Sequence, residues 1–160
     1  MTLRVVVQPT VLDPEDVPDN TGTAYPEPFK AFVKGRIRKK LGDALGLKNF
    51  GVNLSTLLPG AYSSVRHWHS KQDEFIYVVE GELVLITNSG KHRLSAGMTA
   101  GFPAGKADGH HLFNESNSPA RYLEVGDRTE GDEGTYPDND LKAVKTETGW
   151  VFTHKNGKPY

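Results

Sequence analysis

Apolar residues in this chain come in short runs cut by glycine, proline and polar clusters. Phe75-Ile76-Tyr77-Val78-Val79 stops at Gly81. Residues 82–87 and 91–94 flank Asn88-Ser89-Gly90, a pattern that predicts a β-hairpin. Residues 51–58 alternate weakly and predict a strand; residues 121–125 are apolar enough for a strand inside a sandwich, and residues 3–7 can form another. Trp150, Val151 and Phe152 give the tail, 142–160, something to bury, and Asn156-Gly157 predicts the tight turn of a terminal hairpin. The Pro- and Asp-rich run 9–20 predicts an arm or a loop. Helix is expected over 26–47, where Pro28 suits a first turn and Phe29, Phe32, Val33 and Ile37 recur at near-helical spacing, against Gly35 and Gly42.

Totals narrow the picture. With 17 glycines and 10 prolines in 160 residues, one turn-rich all-β domain is expected, large enough to bury a core. A net charge of −1 gives no global electrostatic case for nucleic acid or an acidic membrane surface. Cysteine is absent, so any metal must be held by nitrogen and oxygen. Residues 1–4 lack a signal-peptide layout, and no apolar stretch approaches the ~20 residues that span a bilayer, so a soluble cytoplasmic protein is expected. One charge run stands out: Lys30, Lys34, Arg36, Arg38, Lys39 and Lys40, with no acid between them. It reads as a phosphate or nucleic-acid patch, or as a solvated face that neutralises the six acids of 127–140. Lacking interleaved aromatics, it is taken as the solvated face.

The chemistry concentrates in His67-Trp68-His69 and Glu74. On a strand His67 and His69 share a face, and Glu74 follows just around a turn. A second cluster, His110-His111, lies where a neighbouring strand returns a third imidazole. The candidate ligand set is His67, His69, Glu74 and His110, which suits one divalent Zn, Fe, Ni or Mn ion. Alternation puts Val65, Ile76, Val78 and Leu112 inward and turns Arg66 and Trp68 away. His92 and His154, each alone in a hairpin, read as structural.

These residues resemble the two motifs of the cupins. The first runs Gly60, six residues, His67-x-His69, four residues, Glu74, six residues, Gly81. The second runs Gly97, five residues, Pro103-x-Gly105, four residues, His110, three residues, Asn114. One spacing exceeds the usual first motif by one residue and another the second by two. The longer loop leaves His111 as the alternative third imidazole, but the spacing to Asn114 and the inward Leu112 favour His110. The flanks, including 49–54 and 136–141, are similar to a bacterial single-domain cupin group. The resemblance implies a jelly-roll barrel (double-stranded β-helix) spanning 1–160. It would comprise an N-terminal arm and helical segment at 1–48, a core at 49–126 and an extension at 127–160. It also implies a homodimer crossed by the N-terminal segment, and Asn114 supporting a ligand. A metal-dependent enzyme acting on a small oxygenated metabolite follows as the expectation, of isomerase or epimerase, lyase or dioxygenase type. A non-catalytic small-ligand binder is the alternative. Outside the ligands, only His111 and Tyr122 are left in the motif region as catalytic acid–base groups.

Overall fold

The computed structural model describes residues 8–160, so the strand expected at 3–7 lies outside it. Twelve strands follow one another: β1 (Arg36–Lys39), β2 (Phe50–Leu57), β3 (Trp68–His69), β4 (Glu74–Glu80), β5 (Glu82–Thr87), β6 (Gly90–Ser95), β7 (Thr99–Phe102), β8 (His111–Phe113), β9 (Ala120–Asp127), β10 (Glu133–Thr135), β11 (Lys142–Thr146) and β12 (Gly149–Thr153). They form an antiparallel five-stranded sheet, β1-β2-β9-β4-β7, facing two smaller sheets, β6-β5-β8 and β12-β11-β10-β3. This is the jelly-roll architecture that the resemblance to the cupins implies.

Two hydrophobic clusters fill the space between the sheets. Leu57, Ile76, Val78, Leu83, Leu85, Leu94, Leu112 and Tyr122 close one end. Tyr25, Val33, Val65, Tyr136, Leu141 and Ala143 close the other, with Phe29, Trp150 and Phe152 packed on them. Alternation along β4 is sharp: Ile76 and Val78 are buried, whereas Phe75, Tyr77 and Val79 face outward.

The helix expected over 26–47 does not form. Phe29–Val33 makes a short 3-10 turn, Leu41–Ala44 a single α-helical turn, and Arg36–Lys39 an edge strand paired with β2. Gly35, at φ 86, takes a left-handed conformation that no helix continues through, and the Cβ of another residue there would crowd Ala61. The near-helical spacing of Phe29, Phe32, Val33 and Ile37 is thus divided between the 3-10 turn and β1. The terminal hairpin exists, but β11 and β12 turn through Glu147-Thr148. Asn156-Gly157 makes a second, smaller turn, closed by His154 N–H donating to the Lys158 carbonyl at 2.8 Å.

Asn114 has a different task from the ligand support expected of it. Fully buried, it donates from Nδ2 to the carbonyls of Leu57 and Ser118, both at 2.8 Å, and accepts from the Ser116 amide and hydroxyl. It thereby ties the end of β2 to the turn leading into β9. Replacing it with Ala removes the buried bond to the Leu57 carbonyl, at roughly 1–3 kcal/mol, together with the bonds to Ser116 and Ser118. Asn114→Ala should therefore destabilise the protein by about 2–4 kcal/mol in denaturant unfolding. A loss under about 0.5 kcal/mol would contradict this role.

Candidate metal centre

His67 and His110 sit directly opposite each other. The His67 amide donates to the His110 carbonyl at 3.2 Å and the His110 amide returns the bond at 2.9 Å. His69 follows on β3, opposite Gly134 of β10. Glu74 opens β4, between Phe102 of β7 and Gly126 of β9. The Phe102 ring stacks on His110 at 3.6 Å with the planes 5° apart, which fixes that imidazole.

Each imidazole is anchored through Nδ1. His67 Nδ1 lies 2.9 Å from the Val65 carbonyl, and His110 Nδ1 lies 3.2 Å from the Asp108 carbonyl. His69 Nδ1 lies 2.6 Å from Asp132 Oδ2. Carbonyls and carboxylates only accept, so Nδ1 carries a proton in each ring, and with a cation bound each Nε2 would present a lone pair. The three Nε2 atoms meet at one place. His67 Nε2 and His69 Nε2 are 3.1 Å apart, and His110 Nε2 is 2.7 Å from Glu74 Oε2. Glu74 Oε1 is 3.5 Å from His69 Nε2, and Oε2 is 3.8 Å from His67 Nε2. Ligand atoms of His67, His69 and Glu74 all lie within 4.8 Å of one another. Neighbouring ligands around an ion with bonds of about 2.1 Å sit about 3 Å apart, so the donor set fits one divalent transition metal.

Without a cation these acceptors need protons, and the electrostatics show it. Burial depresses His67 to about 3, aided by the other two imidazoles. Burial also opposes charge on His69, but the hydrogen bonds to Asp132 and Glu74 outweigh it and hold that ring at about 9. Burial would raise Glu74; the bonds from His110 and His69 keep it well below the ordinary carboxylate range.

His111 faces away from this cluster. Its ring packs on Tyr62 and Phe32, and its Nδ1 lies 3.0 Å from the Ser64 carbonyl. Tyr122 is buried in the cavity wall, its hydroxyl donating to Glu124 Oε2 at 3.3 Å. Arg66, turned outward, grips Asp138 with two bonds of 2.7 and 2.8 Å, and Trp68 pairs with Thr135. His92 bonds Thr87 and Ser89, and His154 bonds Asp140.

Several residues in and around the site gave no signal in the sequence. Asp132, 1 % exposed, accepts from His69, Ser70 and the amides of Lys71 and Gln72; nothing in its context separates it from Glu130 or Glu133. Glu124 sits on a strand that reads as plain core. The basic stretch is also corrected. Among the described residues none of its members pairs with an acid of 127–140. Those acids instead take His69, Arg66, Lys142 and His154. Arg36 and Arg38 point inward, because β1 is a strand and its alternate residues share a face. Arg36, Arg38, Tyr122 and Glu124 border, with the histidines and Glu74, a cavity of about 810 Å³.

The Cupin domain model matches residues 53–126. A sugar phosphate isomerase of the cupin superfamily from Silicibacter pomeroyi DSS-3 is 43% identical, with 94% of this chain and 96% of that one covered and a TM-score of 0.90. A protein from Acidithiobacillus ferrooxidans, provisionally described as a sugar phosphate isomerase, is 27% identical over 78% and 80% of the two chains, with a TM-score of 0.71. The polyketide cyclase RemF from Streptomyces resistomycificus, 20% identical over 74% and 79% with a TM-score of 0.62, shares the fold. No curated protein matches. The chain belongs to the cupin superfamily. Among the described residues no helix is long and apolar enough to cross a membrane.

Two outcomes test this centre. Asp132→Ala should weaken metal binding about 10–100-fold by freeing the His69 ring, while His111→Ala should leave metal content unchanged; the reverse pattern would overturn the assignment. The metal-free protein should be most stable near pH 6.5. Raised to about 9, His69 favours the fold below its unfolded value of 6.5, and that contribution is lost as pH climbs through 9. His67, lowered to about 3, and Glu74 resist protonation in the fold, so stability also falls as pH drops. A melting temperature that still rose from pH 6.5 to 9 would contradict this.

Proposed function

We propose that this chain is a metal-dependent isomerase that moves a carbonyl between adjacent carbons of a small sugar-type substrate. Glu124 is the observation that carries the reading. It faces the same cavity as Glu74, since Ile76 pairs with Glu124 and Glu74 with Gly126 on the adjoining strands. Three groups hold its carboxylate. Asn53 Nδ2 donates to Oε1 at 3.0 Å, the Tyr122 hydroxyl donates to Oε2, and Arg38 Nε lies 2.8 Å from Oε1 as an ion pair whose N–H is not aimed along the contact.

A divalent ion on His67, His69, Glu74 and His110 would polarise the substrate carbonyl. Glu124 takes the proton from the hydroxyl-bearing carbon and returns it to the former carbonyl carbon, while the hydroxyl proton passes from one oxygen to the other. No atom is gained or lost. Burial, and next Glu124 itself, hold the Tyr122 pKa above its ordinary value of 10, so Tyr122 stays a donor and keeps the carboxylate aimed. His111, packed against Tyr62, is left to shape the wall. A cavity of about 810 Å³ suits a small metabolite. The two relatives described as sugar phosphate isomerases support the same chemistry.

The homodimer is carried forward as part of this reading. It is supported by the outward row Phe75, Tyr77 and Val79 on the five-stranded sheet.

The test is exchange of the substrate's carbon-bound proton with deuterated solvent, followed by NMR over a panel of aldoses, ketoses and their phosphates. Glu124→Gln should lower the rate at least about a hundredfold and leave metal content unchanged. Undiminished exchange in that variant would remove Glu124 from the chemistry. Binding without exchange in the unaltered protein would make it a ligand-binding member of the family instead.

A further inference from the structure

Arg36 is 4 % exposed, yet no carboxylate pairs with it among the described residues. Its Nη1 donates to the Ser63 carbonyl at 2.6 Å, and Arg36 lines the cavity. Arg38 stands two residues along the same strand face and brings a second positive charge. Glu124 is the acid nearest to hand, but it already pairs with Arg38. On β1 the cavity wall therefore presents two guanidinium groups, and only Arg38 has a carboxylate partner. Burial, with Arg38 adding to it, draws Arg36 down to about 10, so it remains charged at neutral pH. A charge taken out of water without a partner is strongly unfavourable, and proteins keep such a group where a ligand completes the pair.

We infer that Arg36 forms an anion subsite in this cavity that receives the phosphate of a phosphorylated sugar, on the β1 side of the metal centre. The placement follows from the chain: Ser63, which Arg36 holds, lies on the segment that runs through Ser64 to His67, and Ser64 Oγ is 3.3 Å from His67 Nδ1. A phosphate bound at Arg36 would leave the reacting carbons within the same cavity as Glu124 and the histidines. Guanidinium suits this task, because its planar fork offers parallel N–H bonds to two oxygens of one phosphate. The phosphate reading set aside for the basic stretch thus returns, through two of its six cations and as a pocket for a small ligand. This subsite rests on the isomerase reading for its place in the reaction, but its binding can be measured without turnover.

Calorimetric titration of the metal-loaded protein with inorganic phosphate tests it. The unaltered protein should bind phosphate, and Arg36→Gln should weaken that binding at least about tenfold with metal content unchanged; Arg36→Lys should recover part of it. Absence of phosphate binding in the unaltered protein, or equal binding by Arg36→Gln, overturns the subsite. If Arg36→Gln does not fold, crystals of the unaltered protein soaked in tungstate decide. An anomalous peak within hydrogen-bond reach of Arg36 supports the subsite, and a peak elsewhere or none overturns it. Phosphate binding that depends on Arg36 without carbon–proton exchange would leave this subsite standing and remove only the isomerase reading. Exchange with neutral sugars but no phosphate binding would do the opposite.

Discussion

The structure depends on one electrostatic constraint. Three imidazoles are each fixed by a proton on Nδ1, so that three Nε2 atoms and one carboxylate are driven to a single point. Acceptors gathered this way repel one another unless something positive stands between them. The backbone enforces the gathering: the reciprocal His67–His110 bonds set two of the rings side by side, and Phe102 stacked on His110 denies that ring another rotamer. In metal-free protein the cluster must borrow a proton, which His69 holds by virtue of Asp132. A divalent ion would supply the charge instead, and its binding would expel that proton.

The same sheet that presents Glu74 also presents Glu124 and, further along, the inward cations of β1. This follows from strand geometry, since β1, β2, β9 and β4 are neighbours and their inward residues fall into rows across one concave face. Charge is arranged along that face in sequence: the His/Glu cluster, then the Glu124 carboxylate held by Tyr122 and Asn53, then Arg38 and Arg36.

The sequence carried most of the fold and the cluster that the fold draws together. H-x-H fixes a common face by strand period alone, and the hairpin at 88–90 declares itself by its turn residues. The sequence favoured His110 over His111 through an inward Leu112, and the structure buries Leu112. What the sequence hid were partnerships between segments distant along the chain. Asp132 reaches across 63 residues to His69, and its neighbours in sequence look the same. Arg36 and Arg38 were misread because they fell in a stretch read as helix and, lacking interleaved aromatics, as a solvated face. A strand of four residues is too short to show alternation above noise, and Gly35 and Gly42 were the warnings. Tyr122 stood among the candidate acid–base residues, whereas Glu124 did not, because its value comes from Asn53 on β2 and Arg38 on β1.

The most direct measurement is anomalous diffraction from crystals of untagged protein, collected at the absorption edges of zinc, iron, nickel and manganese. This account predicts one strong peak per chain, bonded at about 2.0–2.2 Å to the Nε2 atoms of His67, His69 and His110 and to a Glu74 oxygen. A peak bonded through His111, or a metal held elsewhere with the Nε2 atoms still facing one another, would contradict it.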